Sequence, residues 1–160
     1  PDIVKNKITE ADIIYMSGGD TKKLVDTLKE YKIDELIKEA QNRGCVIAGI
    51  SAGAIAIADS GLSDYQILNN ISNKYAFTEG LKLININICP HANKKERIDD
   101  LKELLKENNK DVICLENGTA LKIENNTIEI IYSLNNKVKL ISNTKESTLD
   151  NINIKKIINL

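Results

Sequence analysis

Residues 44–58, Gly44-Cys45-Val46-Ile47-Ala48-Gly49-Ile50-Ser51-Ala52-Gly53-Ala54-Ile55-Ala56-Ile57-Ala58, constrain the fold more than any other stretch of this chain. The apolar run Cys45 to Ile50 reads as a strand buried on both faces, and Ala52 to Ala58 reads as a tightly packed helix of small and apolar residues. One polar side chain, Ser51, stands between them, with Gly49 two residues before it and Gly53 two after. That is the sequence form of a nucleophile elbow, G-x-S-x-G, in which a sharp strand-to-helix turn holds a hydroxyl clear of the sheet. The same residues also describe a glycine-rich turn whose serine only caps a helix.

The rest of the chain decides what kind of sheet this turn belongs to. Asp12 to Ser17 is a short apolar strand ending at Gly18-Gly19, and Asp20 is placed to cap a helix from Thr21 to Tyr31. A second helix, capped by Asp34 and stopped by Gly44, leads into the strand before Ser51. Residues 59–80 show no clear period and read as an excursion over the surface. Leu81 to Cys89 alternates as a strand, Lys94 to Asn108 has the apolar stripe of an amphipathic helix, and Val112 to Leu115 is another buried strand. Asn125-Asn126, Asn135-Asn136 and Asn143-Thr144 then punctuate three short runs, the pattern of antiparallel hairpins. The expected fold is α/β, a three-layer α/β/α sandwich whose mixed sheet is mostly parallel, with a C-terminal β-hairpin region. At 160 residues the chain is expected to form a single domain, residues 1–160.

Composition narrows the partners. A net charge of −1 offers no basic stripe for nucleic acid, and with 4% aromatic residues and no Trp there is no stacking platform for single strands. No apolar run is long enough to span a bilayer. Cys45, Cys89 and Cys114 are odd in number, lie in predicted buried strands and form no C-x-x-C pair, which fits a reducing, cytoplasmic setting. One His and dispersed Cys make no metal-ligand set, and no cofactor motif is present: Gly18-Gly19 belongs to neither G-x-G-x-x-G nor G-x-x-x-x-G-K.

Ligands of such a sheet collect beyond the carboxyl ends of its parallel strands. There the chain carries Gly18-Gly19-Asp20, Ser51, His91 and Glu116. His91 is the only histidine, so any imidazole that activates Ser51 must be His91. A carboxylate behind the ring would fix its tautomer, and Glu116 and Asp64 are both available. Chemistry alone does not choose between them, since Asn117-Gly118 is a good turn and a Glu beside it needs no function. The amides of Ala52 and Gly19 are the candidate donors for an oxyanion. The order Ser51, His91, Glu116 departs from the serine, acid, histidine order of α/β-hydrolases. With Asp64 the order fits, but the small domain and β-rich tail do not.

Ser-Gly-Gly-Asp-Thr (17–21), Gly-Ile-Ser-Ala-Gly-Ala (49–54), Gly-Leu (80–81) leading to Cys-Pro-His (89–91), and Leu-Glu-Asn-Gly-Thr-Ala-Leu (115–121) together resemble the dipeptidase E family of serine peptidases, which includes cyanophycinase. The family's fold resembles class I glutamine amidotransferases, which carry a cysteine where Ser51 stands. The resemblance covers about residues 10–125. It implies Ser51 as nucleophile and His91 as base. Glu116 falls at the position of the family's structurally assigned triad glutamate, and Asp64 lies near an aspartate also proposed for that role. Gly19 and Ala52 fall at the oxyanion-hole positions, and Gly18 and Asp20, on the same turn, are the candidate substrate-binding residues.

Two departures bear on substrate. The turn reads Gly-Gly-Asp where aspartyl dipeptidases commonly have Gly-Gly-Asn, and the segment after His91 is shorter than the loop that reads an N-terminal aspartate. Arg97 is then the residue that could pair with a substrate carboxylate, unless it is simply a solvated helix position. The family's one or two βα units before the Gly-Gly turn are not in this sequence. The expected function is a serine-type peptidase acting on dipeptides or small peptides through an acyl-enzyme on Ser51, as a monomer or homodimer. The alternatives are a non-catalytic binding module of the same fold and a cyanophycinase or isoaspartyl-type peptidase.

Overall fold

A computed structural model describes residues 2–125, 127–133 and 135–151. Helix α1 (Asp2–Glu10) leads into strand β1 (Ile13–Met16), and after the Gly18-Gly19 turn comes α2 (Thr21–Glu30). Asp20 caps α2 as expected, its carboxylate accepting the Lys23 N–H at 3.0 Å. Helix α3 (Ile33–Asn42) is different. It begins before Asp34, with Lys32 in the left-handed region at φ 55°, and Asp34 and Glu35 lie in its first turn, where their charge complements the helix dipole. Gly44, at φ +99°, follows the last turn of α3 and turns the chain toward β2 (Val46–Gly49).

β1 and β2 pair in parallel, Ile13 opposite Val46 and Met16 opposite Gly49. Burial of β2 on both faces was the expectation, and it is not what is found. One face packs under α2, α3 and α4 (Ala52–Ile57) through Met16, Val25, Ile37 and Ala56. On the other face, Ile13, Tyr15 and Val46 are 66%, 62% and 58% exposed. A short unbroken apolar run has no period, so it does not reveal which of its faces finds a partner.

Among the described residues the larger sheet has six strands, in the order β10-β9-β6-β5-β3-β4. These are β3 (Ser60–Ser63), β4 (Ala76–Glu79), β5 (Asn87–Pro90), β6 (Val112–Leu115), β9 (Val138–Ile141) and β10 (Glu146–Leu149). Only β3-β5 and β5-β6 are parallel; the β10-β9, β9-β6 and β3-β4 pairs are antiparallel, so the sheet is mixed rather than mostly parallel. β3 is the larger surprise. It lies inside the sheet with all four residues buried, in a region expected to wander over the surface. Its sequence, Ser-Gly-Leu-Ser, lacks the β-branched residues that signal a strand. The Ser60 hydroxyl donates to Asn87 at 2.7 Å, and the Ser63 hydroxyl donates to Thr21 at 2.9 Å. Gly61 has no room for a side chain, since a Cβ there would lie 2.8 Å from the Ile88 carbonyl oxygen. The strand expected over 81–89 shortens to β5. Residues 81–86 instead lie along α4, with the Leu81 and Leu83 amides donating to the Ala56 and Ile57 carbonyls at 2.8 and 3.0 Å.

Helix α6 (Lys95–Leu105) covers one face of this sheet through Leu101 and Leu105 against Leu62, Cys89 and Cys114. Ile55 of α4 covers the other face, together with an antiparallel ribbon of β7 (Thr119–Glu124) and β8 (Thr127–Tyr132) that brings Ile128 and Ile130 onto Ile88 and Ile113. Two of the three expected hairpins therefore form, β7-β8 and β9-β10. The first of their turns includes Asn126, which lies outside the described residues. Asn135-Asn136 joins strands of different sheets instead of closing a hairpin.

Candidate active site

The turn after β2 is sharp because three backbones meet there. A Cβ on Gly53 would stand 2.1 Å from the Met16 carbonyl oxygen of β1, and one on Gly49 would stand 2.5 Å from the Gly53 carbonyl carbon. Both glycines are required by close approach. The Gly53 N–H donates to the Ile50 carbonyl at 2.9 Å, closing a turn in which Ser51 takes φ 53° and ψ −113°. Those angles are the first central position of a type II′ turn, which usually belongs to glycine. A serine there is held in a strained conformation by the packing around it.

The strand ends then bring partners to the hydroxyl. His91 follows β5, itself at φ 57°, and its Nε2 lies 3.0 Å from Ser51 Oγ. The opposite ring nitrogen, Nδ1, lies 2.7 Å from Oδ1 of Asn117, in the turn after β6. Gly18, after β1, flanks the serine: a Cβ there would lie 3.4 Å from Ser51 Cβ and 3.8 Å from Oγ. Gly19 follows at φ +140°. Ala52 opens α4, where the first amides of a helix have no intrahelical acceptor.

The acidic residues expected near the ring are turned elsewhere. One oxygen of Glu116 accepts the Lys137 N–H at 2.9 Å, which draws its side chain toward the segment before β9. The ring's partner is the neighbouring amide, Asn117. Asp64 precedes the short helix α5 (Tyr65–Leu68) and faces Arg97 across 4.0 Å. Asp20 caps α2 and accepts a second hydrogen bond from Asn69 Nδ2 at 2.5 Å. Partial burial raises the pKa of Asp20, but the bonds from the Lys23 amide and Asn69 outweigh it and leave that pKa below the ordinary value.

Arg97 is neither a solvated helix residue nor open to a substrate. It is 2% exposed, its Nη1 donates to the Pro90 carbonyl at 2.8 Å, and its guanidinium lies 4.5 Å from the centre of the Tyr75 ring. Arg97 therefore holds the residue next to His91. Sequence reading missed this role, because a charged residue at an amphipathic helix boundary gives no sign of being buried. It also missed Asn117, whose place in an Asn-Gly pair already accounted for it as a turn residue, and Asn93, whose Oδ1 accepts the Asn117 N–H at 3.3 Å.

The family model described as Peptidase family S51 matches residues 1–131. The chain belongs to peptidase family S51. Among curated relatives, it is 36% identical over 84 residues to the uncharacterized peptidase YgaJ of Bacillus subtilis (strain 168), covering 52% of this chain and 34% of YgaJ. It is 30% identical over 92 residues to the uncharacterized peptidase Lmo0363 of Listeria monocytogenes (serovar 1/2a), covering 56% of this chain and 44% of that protein. The chain thus matches between about a third and under half of the length of these relatives. The fold is similar to the crystal structure of a peptidase from an acI-B1 Actinobacterium, with a TM-score of 0.70 at 24% identity over 93% of this chain and 61% of that one. The S51 family assignment agrees with the dipeptidase E resemblance carried by the four motifs.

Proposed function

We propose that this chain carries the catalytic site of a serine-type peptidase that hydrolyses dipeptides or small peptides. The observation that carries the reading is the 3.0 Å contact between Ser51 Oγ and Nε2 of the only histidine, at the tip of a G-x-S-x-G turn in an S51 chain. In this reading the turn is a nucleophile elbow, set in a three-layer arrangement of the class I glutamine amidotransferase kind, in a cytoplasmic enzyme.

The chemistry follows from the positions. Ser51 Oγ bonds to the scissile carbonyl carbon as its proton passes to His91 Nε2. The carbonyl oxygen takes up negative charge facing the Ala52 and Gly19 amides. The C–N bond then breaks, and the amine leaves with the proton held on Nε2. Water attacks the resulting ester, giving its proton to His91, which returns it to Ser51 Oγ as the ester bond breaks. Gly18 keeps the approach to Oγ open. Asp20, engaged with α2 and Asn69, shapes the floor of the same turn rather than reaching forward.

A fluorophosphonate probe and a dipeptide panel test the reading. The wild-type chain is expected to be labelled at Ser51 and to turn over at least one dipeptide, and Ser51→Ala or His91→Ala is expected to lower turnover by about 10³-fold or more. Equal turnover by Ser51→Ala would overturn the assignment. A folded protein that the probe does not label would point instead to a binding module of the same fold. Cleavage confined to isoaspartyl or β-aspartyl-arginine dipeptides would place it with the cyanophycinase-type members.

A further inference from the structure

We infer that the third member of this site is Asn117: a neutral amide, not a carboxylate, orients His91 and selects its tautomer. The inference rests on the peptidase reading for its kinetic consequence, while the tautomer it assigns belongs to the resting protein.

The geometry holds Asn117 on the ring from several sides. The Thr119 N–H donates to the Glu116 carbonyl at 3.1 Å and the Thr119 hydroxyl donates to the same oxygen at 2.7 Å, closing a turn over Asn117 and Gly118. Gly118 takes φ +80°, and a Cβ on it would lie 2.6 Å from Asn136 Nδ2, so glycine is needed at that corner. The turn is anchored on its outer flank by the Glu116 amide donating to the Lys137 carbonyl at 3.2 Å and by the Lys137 amide donating to the Glu116 carboxylate at 2.9 Å. On its inner flank, Asn93 accepts the Asn117 N–H. His91 is tied to the same strand end, because the Ala92 amide donates to the Leu115 carbonyl at 3.0 Å. Ring and amide are therefore referenced to one point, the carboxyl end of β6.

The ring's proton follows from that contact. An imidazole facing a serine hydroxyl with its basic nitrogen must carry its proton on Nδ1, and that proton needs an acceptor. The Asn117 amide oxygen, 2.7 Å away, is that acceptor, and the contact leaves the Nε2 lone pair directed at Ser51 Oγ. Glu116, Arg97 and Asp20, on the surrounding segments, are committed elsewhere: Glu116 to the Lys137 amide, Arg97 of α6 to Pro90 and Asp64, and Asp20 to Lys23 and Asn69. A carboxylate behind the ring would also stabilise the imidazolium electrostatically. An amide supplies orientation and tautomer but no full charge. Glu116 acts one step further out, as a strut for the turn that presents Asn117.

With a single histidine, the imidazole nitrogen NMR spectrum of the intact chain reports this ring alone. The wild type is expected to show the Nδ1–H tautomer, with an Nδ1 proton protected from exchange. Asn117→Asp, which keeps an acceptor oxygen in place, is expected to retain that tautomer and the labelling of Ser51. Asn117→Ala is expected to shift the ring toward the Nε2–H form preferred by a free histidine side chain. Its rate of fluorophosphonate labelling and its kcat should fall about tenfold or more, with KM changed less than about twofold. Glu116→Gln, whose amide oxygen can still accept from Lys137, is expected to keep the Nδ1–H tautomer. A wild-type ring protonated on Nε2, an unchanged tautomer in Asn117→Ala, or a tautomer lost in Glu116→Gln would each overturn the inference. Because the spectrum needs no substrate, a wild-type chain that hydrolyses nothing would count against the peptidase reading and leave this assignment to be decided separately.

Discussion

Ser51 is the residue where chemistry and conformation pull in opposite directions. Its hydroxyl reaches His91 only because its backbone adopts φ 53° and ψ −113°, a conformation that a Cβ disfavours by about 1–3 kcal/mol. Two substitutions separate the effects. Ser51→Gly removes hydroxyl and Cβ together and is expected to raise stability by about 1 kcal/mol or more in urea unfolding, while Ser51→Ala keeps the strain and changes stability little. Both abolish labelling. Equal stability for the two variants would show that the turn is relaxed. The motif spacing made the Ser51–His91 contact legible in advance, because a lone histidine leaves no other imidazole to meet Ser51. Asn117 was not legible, since an Asn before a Gly is explained by turn chemistry alone and only the fold brings its amide to the ring.

At the scale of elements, the site depends on how closely β1, β2 and α4 approach one another. Gly53 is the contact point, with the Met16 carbonyl where its Cβ would be. Gly53→Ala is expected to cost about 2–4 kcal/mol, since backbone must move to relieve the overlap, and to suppress Ser51 labelling in whatever fraction stays folded. A thermal or urea unfolding curve that matches the wild type would contradict this packing. On the opposite side of the site, α6 contributes Arg97, whose buried guanidinium fastens Pro90 and so the entry to His91. The stripe Ile98, Leu101, Leu104 and Leu105 identified α6 correctly as a helix. Its period could not announce that a charged neighbour would turn inward, because burial of Arg97 depends on Tyr75, Pro90 and Asp64 arriving from elsewhere.

Across the whole molecule, the six-stranded sheet joins the two halves of the chain, and its far edge is secured by charge. Glu146 on β10 bonds Lys102 of α6 at 2.7 Å and Lys139 of β9 at 2.8 Å, tying the C-terminal hairpin to the helix that also carries Arg97. The hydrogen bonds from Lys102 and then Lys139 hold the Glu146 carboxyl at about 2, below its ordinary 4.5. A carboxyl whose pKa is depressed by folding adds stability that is fully present above its ordinary pKa and is lost as pH falls through the depressed one. Glu146→Gln is therefore expected to be less stable than the wild type at neutral pH and to flatten the stability profile between about pH 4.5 and 2. Because the pair is partly solvent-exposed, the effect should shrink in high salt. A variant that keeps the wild-type acid slope would locate the acid sensitivity elsewhere.

What the amino-acid sequence determined by itself was local and periodic. It set the strand-turn-helix around Ser51, the Asp20 cap, the α6 stripe and the two hairpins, all properties of residues close in the chain. It also set the order of motifs that marks an S51 chain. Tertiary structure alone decided which faces of β1 and β2 are covered, because a run of apolar residues does not name its partner. It alone drew Ser60–Ser63 into the middle of the sheet, where Asn87 and Thr21 bond its hydroxyls. And it alone chose, among Glu116, Asp64 and Asn117, which side chain meets the histidine. That choice depends on a few ångströms at the end of β6, set by hydrogen bonds to Asn93 and Lys137 from distant parts of the chain.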